Sequence, residues 1–150
     1  MKTITLSANS SWYLFNFRKN TILSLIEDGY KVVCISPEDP YAQNLVNIGC
    51  DWYPVKIDTN GANPLRDLRL IITFFVYYLK FKPIAAFHFT IKNNVYGTLA
   101  AFICNIPSIN NISGLGTAFL HEGLKYKIAK LLNFRNHIGL TKKIENQIKL

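Results

Sequence analysis

Two polar segments of the sequence carry side chains suited to a hydroxyl-rich or anionic ligand. The first segment places three small polar residues beside a tryptophan, as Asn9, Ser10, Ser11 and Trp12. The second segment combines an imidazole, a hydroxyl and an ammonium group, as His88, Thr90 and Lys92. Such groups exchange hydrogen bonds with hydroxyls and attract anions. In the alternative interpretation, Ser10 or Ser11 caps a helix and Lys92 faces water.

Arg18 and His88 are the charged and titratable residues whose positions are most informative. On a helix, Arg18 would lie about 40° from Ile22, within an apolar stripe that faces the core. A guanidinium there requires an anion, a set of carbonyl groups or a structural ion pair with an acid. His88 ends a predicted strand, and this position makes it a candidate for catalysis, although a weak one. The alternative is a structural histidine. The histidines and cysteines do not cluster, so no metal site is predicted.

Strand and helix signals alternate along the chain, and this alternation predicts the fold class. Short β-branched runs are separated by segments with helical periodicity. The predicted strands cover residues 2–8, 31–36, 51–55, 84–88 and 108–112, and the predicted helices cover residues 13–28, 41–48, 64–81, 94–104 and 122–132. We expect an α/β protein with a doubly wound parallel sheet and helices on both faces.

The expected strand order of this sheet is 3-2-1-4-5, which fixes where a ligand would bind. In open parallel sheets, ligands bind beyond the carboxyl ends of the strands, where the strand order reverses. That reversal falls between the first and fourth strands. The loops at residues 8–12 and 88–94 would then face each other across a crevice.

Glycine placement argues against the common nucleotide cofactors. A dinucleotide-binding loop needs glycines after the first strand, yet no glycine precedes Gly29. No P-loop sequence is present either, so we expect no cofactor. Gly114, Leu115 and Gly116 follow the last predicted strand, where two glycines allow a close backbone approach or a tight turn.

Charge and hydrophobicity suggest contact with an anionic surface. The formal net charge is +8, and residues 125–150 hold seven basic residues and one acid. Such a segment suits lipid head groups or nucleic acid, and the alternative is a solvated basic helix and tail. The helix at residues 64–81 has two apolar stripes, of which one includes Leu65 and Ile72 and the other Leu70 and Phe74. One stripe would cover the sheet; for the other, burial against neighbouring helices is favoured over a membrane or partner surface.

The dispersed cysteines and the absence of a signal peptide indicate a cytoplasmic protein.

Four segments read together resemble one family. They are residues 9–18, 63–69, 88–97 and 109–119, with sequences NSSWYLFNFR, NPLRDLR, HFTIKNNVYG and INNISGLGTAF. The chain resembles the N-terminal, acceptor-side domain of retaining GT-B glycosyltransferases of family 4, in the branch that builds bacterial surface polysaccharides. The resemblance covers residues 1–132. It implies a Rossmann-like domain that acts beside a second, nucleotide-sugar-binding domain.

The resemblance also implies substrates and site residues. The acceptor would be a polyprenyl-linked saccharide at the cytoplasmic face of the membrane, and nucleic acid is not an expected partner. The interdomain cleft would be lined by the 9–12 loop, two residues of the first helix, the 90–94 loop and the glycine loop, namely Asn9, Ser10, Ser11, Trp12, Asn16, Arg18, Thr90, Lys92, Asn94, Gly114, Leu115 and Gly116.

The sequence departs from the family pattern at its end. The family's donor-binding half carries two glutamates eight positions apart, and no two glutamates of this chain have that spacing. Residues 133–150 form a basic tail that does not match the family. We therefore expect the chain to be the acceptor-side half of a glycosyltransferase and to be inactive alone. Either it is truncated, or it acts together with a separate donor-binding chain. The alternative is a non-catalytic module that binds a membrane surface.

Overall fold

A computed structural model of the protein describes residues 1–58 and 63–111. These residues form β1 (Thr3–Ser7), α1 (Ser11–Glu27), β2 (Lys31–Ser36), α2 (Ala42–Asn47), β3 (Asp51–Pro54), α3 (Pro64–Phe81), β4 (Ala85–Phe89), a π-helical turn (Asn93–Gly97), α4 (Thr98–Ile103) and β5 (Ser108–Asn111). The predicted helix at residues 122–132, the basic tail at 133–150 and the glycine loop Gly114–Gly116 lie outside the described residues.

The five strands form one parallel sheet in the order β3-β2-β1-β4-β5. This order confirms the predicted doubly wound topology. At the carboxyl end of β1, Ser7 pairs with Ile35 of β2 on one side and with His88 of β4 on the other. The strand order therefore reverses between β1 and β4, as expected.

Alternation along the strands divides the core between the two faces of the sheet. On β2, Val32 and Cys34 pack in a cluster with side chains of α1 and α2. The intervening Val33 and Ile35 pack in a second cluster with side chains of α3 and α4. A strand buried on both faces is expected to be apolar throughout, which explains the unbroken run of residues 32–35.

Local sequence sets the ends of the two long helices. Ser10 is the N-cap of α1, and its hydroxyl accepts a hydrogen bond from the backbone N–H of Tyr13. Asn63 caps α3 in the same way, with Pro64 in the first turn, where its missing N–H costs nothing. Beyond α1, Gly29 has a φ of +82°, a conformation that favours glycine.

Helix α3 buries one apolar stripe and exposes the other. Leu70, Phe74 and Tyr78 are buried against the sheet. The opposite face is apolar but exposed, and we call it the apolar strip: Leu65, Leu68, Ile72, Val76 and Leu79. The favoured expectation, burial of this stripe against neighbouring helices, is wrong for the described part of the chain. No helix among the described residues is long and apolar enough to cross a membrane.

The helix predicted at residues 94–104 is interrupted near its start. Residues Asn93–Gly97 form a π-helical turn, and a regular α-helix begins only at Thr98. The turn brings the backbone of Gly97 against the imidazole of His88. A Cβ atom at position 97 would lie 2.5 Å from His88 Cε1 and 2.6 Å from Nδ1. Glycine is therefore required here by close packing.

Replacing Gly97 with alanine is expected to lower the free energy of unfolding by about 1–3 kcal/mol, the usual cost of overpacking a core. Urea denaturation measures the change. In an exposed helix the same substitution would raise the free energy of unfolding by about 1 kcal/mol. The sign of the change therefore distinguishes a crowded position from an open one. Combining Gly97→Ala with His88→Ala should give a loss smaller than the sum of the two single losses. Strict additivity would contradict the proposed steric contact.

Candidate functional site

The loop between β1 and α1 follows the carboxyl end of β1, on one side of the predicted crevice. Asn9 is exposed, whereas the hydroxyl of Ser10 is used in capping α1. Ser11 is fully buried; its Oγ lies 2.8 Å from Ser36 Oγ and donates a hydrogen bond to the carbonyl of Pro37. Of the three small polar residues predicted to bind a ligand, Ser10 and Ser11 thus have structural partners. Asn9 is the one that presents its side chain to solvent.

Trp12 lies in the first turn of α1 with 45% of its surface exposed. Its backbone N–H donates to the carboxylate of Asp39, which follows β2. Its indole makes an edge contact with Phe17, at 5.4 Å between ring centroids. The amide of Asn16 donates to the Trp12 carbonyl. The result is an exposed aromatic surface, which suits the apolar faces of sugar rings.

Arg18 lies beside the end of β4, on the core-facing side of α1. Its guanidinium carbon is 4.5 Å from the centroid of the Phe89 ring, and Nη2 donates to the hydroxyl of Tyr13. No acid of the described residues pairs with it, so the interaction is a cation–π contact rather than an ion pair. Its buried Nε has no hydrogen-bond partner among the described residues. Arg18 therefore retains capacity to bind an acceptor atom.

The segment after β4 has an unusual backbone. Thr90 adopts a φ of +75°, which is rare for a β-branched residue. Asn93, fully buried, donates from Nδ2 to the Thr90 hydroxyl, and Asn94 donates to the carbonyl of Asn111. The Oδ1 atoms of Asn93 and Asn94 are buried without a partner in the described part of the chain. Strained backbone and π-helical turns both concentrate at functional sites.

Lys92 neither faces the crevice nor points freely into water. Its Nζ lies 2.9 Å from Oδ1 of Asp67 on α3, and Tyr96 donates to the other oxygen at 2.7 Å. Burial, together with this hydrogen bond to a carboxylate, raises the pKa of Tyr96 to about 12. Asp67 thus anchors the segment after β4 to α3. No local sequence signal indicates this role of Asp67, because its partners are 25 and 29 residues away.

His88 is buried in the sheet–α3 interface instead of facing the crevice. Its Nδ1 lies 2.9 Å from Ser7 Oγ and its Nε2 3.3 Å from the Tyr78 hydroxyl. A neutral ring donates to one hydroxyl and accepts from the other. Burial lowers the pKa of His88 to about 3, so the ring stays neutral near pH 7. This position corrects the expectation of a histidine in the crevice and favours the structural alternative.

The structure therefore brings together part of the predicted site. Asn9, Trp12, Asn16 and Arg18 lie on the β1–α1 side, and Thr90 and Asn94 follow the adjacent strand β4. Lys92 and His88 are engaged elsewhere. Phe17 and Phe89 were missed, although the aromatic spacing of Tyr13 and Phe17 along one helix was a usable signal. Gly114, Leu115 and Gly116 lie beyond the described residues.

No protein-family model matches the sequence, and no curated protein matches it significantly. Solved structures do resemble the fold. A UDP-GlcNAc 2-epimerase from Neisseria meningitidis, bound to UDP-GlcNAc, has a TM-score of 0.63 and 18% identity, covering 88% of this chain and 39% of its own. MurG from Acinetobacter baumannii has a TM-score of 0.57 and 19% identity, covering 73% and 33%. A glycosyltransferase from Rickettsia africae has a TM-score of 0.62 and 12% identity, covering 84% and 35%.

These similarities define the class of fold. The sheet and its helices form a Rossmann-like domain of the kind found in proteins of the GT-B fold. The chain spans between 33% and 39% of the length of these three neighbours.

The Asp67–Lys92 pair gives a test of how the segment after β4 is held. Asp67→Asn removes the carboxylate charge that faces the Lys92 ammonium, whose side chain is 20% exposed. The free energy of unfolding should fall by about 3 kcal/mol, as for other buried pairs that lose one partner. The matched control is Asp58→Asn, because its partner Arg66 is 69% exposed. That substitution should cost about 0.5 kcal/mol. Equal losses in urea denaturation would contradict the anchoring role.

The low pKa of His88 predicts a pH-dependent stability. Below pH 6.5 the unfolded chain binds a proton at His88, whereas the folded chain does so only near pH 3. Acid therefore favours unfolding across this window, with a slope of at most about 1.4 kcal/mol per pH unit. Comparing the wild type with His88→Gln in urea melts between pH 7 and 4 isolates this slope, since the other histidines are common to both. Parallel pH profiles would show that His88 titrates normally in the folded state.

Proposed function

We propose that this chain is the acceptor-side part of a retaining glycosyltransferase of family 4, acting in bacterial surface polysaccharide synthesis. The observation that carries the proposal is the exposed aromatic surface of Trp12 and Phe17, on the same helix as the cationic Arg18, beside the reversal of strand order in a GT-B type of domain. Aromatic rings and polar side chains together suit a saccharide, and a guanidinium suits its phosphate groups.

In this proposal, each crevice residue has a role in holding the acceptor. Trp12 stacks on a sugar ring, and Asn9 and Asn16 exchange hydrogen bonds with its hydroxyls. Arg18, held in place by the rings of Phe89 and Tyr13, contacts an anionic or carbonyl oxygen. The unpartnered Oδ1 atoms of Asn93 and Asn94 support a polar role for the segment after β4. None of these side chains is assigned to proton transfer.

The nucleotide-sugar would be bound by a second domain. The neighbours support this division, because this chain covers about a third of MurG and of the Rickettsia africae glycosyltransferase. Glycosyl transfer requires the acceptor hydroxyl and the anomeric carbon to be held within about 3–3.5 Å. It also requires charges that stabilise the departing diphosphate. We therefore infer that residues 1–132 form the acceptor domain and that a donor-binding domain, either the other half of a truncated enzyme or a separate chain, completes the enzyme.

The apolar strip of α3 favours a place at the cytoplasmic face of the membrane. Its five aliphatic side chains are each more than half exposed. Arg66, Arg69 and Lys80 are exposed on the same helix, and its one acidic residue, Asp67, is buried. An aliphatic surface with a basic border suits an anionic lipid surface, where a polyprenyl-linked acceptor would be found. The same strip is the observation that favours the second candidate, a non-catalytic membrane-binding module.

Reconstitution tests the proposal. The purified chain, given a panel of nucleotide-sugars and a polyprenyl-linked saccharide, should show no transfer alone and measurable transfer once a donor-binding chain is supplied. Arg18→Gln should then lower kcat/KM by about tenfold, the value of one charge-assisted hydrogen bond. Lys19→Gln, one residue along the same helix, is the matched control.

Three results would separate the candidates. Turnover by the chain alone would contradict the need for a donor-binding partner. Equal losses from Arg18→Gln and Lys19→Gln would contradict the role of Arg18. Vesicle binding without transfer, whatever donor-binding chain is supplied, would favour the non-catalytic module.

A further inference from the structure

The N-terminus of α1 holds a carboxylate that another part of the chain supplies. Oδ2 of Asp39, in the loop after β2, accepts a hydrogen bond from the backbone N–H of Trp12 at 3.0 Å. Its Oδ1 accepts a hydrogen bond from the backbone N–H of Tyr41 at 2.8 Å. The first turn of α1 contains no acidic residue of its own. Asp39 therefore takes the place that an acid or a bound anion favours at the positive end of a helix.

The position of this carboxylate is fixed by the loop that carries it. Pro37 and Pro40 flank the two acids Glu38 and Asp39, and a proline restricts both its own φ and the residue before it. The Pro37 carbonyl accepts a hydrogen bond from the buried hydroxyl of Ser11. The loop is thus bound to the start of α1 at two points, one of which is the carboxylate itself.

The carboxylate makes this end of α1 negative. The partial charge at a helix N-terminus is about +0.5, which is smaller than the full negative charge of one carboxylate. Glu38, the residue before Asp39, is exposed and adds a second negative charge. Within the described residues, no lysine or arginine lies in ion-pair distance of either acid. A ligand group that approaches Trp12 from solvent therefore meets a negative potential.

The cations of this part of α1 are held against aromatic rings instead. Arg18 lies over the ring of Phe89, which ends β4, and the Lys19 ammonium lies 5.1 Å from the centroid of the Phe15 ring. β1 separates β2 from β4 in the sheet, so Asp39 and Arg18 lie on opposite sides of the candidate site. An anionic group of a ligand is favoured on the β4 side and disfavoured on the β2 side.

The carboxylate is close enough to the indole of Trp12 to influence a sugar bound there, because it is hydrogen-bonded to the backbone of the same residue. A ring stacked on this indole lies within about 10 Å of the carboxylate, which is the Debye length at 0.1 M salt. Two like charges about 8 Å apart weaken binding by about fivefold at an effective dielectric constant of about 40. Neutral hydroxyl groups experience no such repulsion, and an ammonium group is attracted.

We infer that Asp39 is a specificity-determining residue, which selects an uncharged or amine-bearing sugar ring at Trp12 over a uronic acid or a phosphorylated sugar. This inference deepens the proposed function and rests on it for the binding of a saccharide at Trp12. The carboxylate acts by repelling the wrong ligand, so it needs no direct contact with the correct one.

Methyl glycosides that share one ring and differ in charge test the inference without requiring turnover. At about pH 6, methyl glucoside is neutral, methyl glucosaminide is cationic and methyl glucuronide is anionic. Titration of the 150-residue chain is followed by the NMR signal of the Trp12 indole N–H, which is assigned with the variant Trp52→Phe. The wild type should bind the glucuronide about fivefold more weakly than the glucoside, and the glucosaminide at least as tightly as the glucoside. Salt at about 1 M should remove most of this difference.

Asp39→Asn removes the charge and keeps an oxygen that accepts a backbone hydrogen bond. This variant should bind the glucuronide and the glucoside with affinities within about twofold of each other. Glu38→Gln is the matched loss of charge, and it should change the ratio less, because the carboxylate of Asp39 is the one bound to α1. Inorganic pyrophosphate, followed by the backbone N–H signal of Trp12, should bind Asp39→Asn about fivefold more tightly than the wild type. Misfolding cannot produce such a gain.

Three results would overturn the inference. They are equal affinity of the wild type for glucoside and glucuronide, equal effects of Asp39→Asn and Glu38→Gln on that ratio, and unchanged pyrophosphate binding in Asp39→Asn. If no glycoside shifts the Trp12 signal while Asp39→Asn gains pyrophosphate binding, the saccharide site of the proposed function is wrong. The exclusion of anions by Asp39 would then stand without it.

Discussion

The parallel pairing of β1 with β4 is the constraint on which the candidate site depends. It places the residues after Ser7 beside those after His88. The strand order also reverses at this pair, because β2 and β3 lie on one side of β1 and β4 and β5 lie on the other. Below the crevice, the pairing is reinforced by the contact between Ser7 and His88, which Tyr78 extends to α3. Burial lowers the pKa of the imidazole, and its neutral form satisfies both hydroxyls. A buried polar network of this kind fixes one arrangement of strands and helix because any misplacement leaves polar atoms unpaired.

Much of the fold could be predicted because its signals are local. The β-branched run 31–36 is a strand with the predicted bounds, and Asn63-Pro64 begins α3 at the predicted residue. Short strands alternating with helices leave few topologies once crossovers are right-handed. The π-helical turn could not be predicted in this way. It depends on contacts of Asn93, Tyr96 and Gly97 with distant residues, and no local preference encodes them.

The site was predicted less completely, and the reason is physical. Sequence position placed Arg18 on the core-facing side of α1, but not over the ring of Phe89, since aromatic contacts depend on packing between elements. Lys92 was expected to meet a ligand or water, and it meets Asp67 because α3 brings a buried carboxylate beside it. The exposure of the strip on α3 was also beyond sequence reasoning. The periodicity of the sequence indicates two apolar faces on α3, but which face is buried depends on how the helix packs in the folded protein.

The π-helical turn has a consequence for how this edge of the protein can diverge. A π-turn holds one residue more than an α-turn closed over the same span. Deleting a single residue between Asn93 and Gly97 would convert the segment to regular α-helix and leave the flanking turns in their positions. The residues within the turn would be displaced, so that the contacts of this segment with Asp67 and His88 would change while all five strands kept their register. A one-codon change can therefore reshape the rim of the crevice without altering the sheet beneath it, which gives this rim an evolutionary plasticity that the strands do not share.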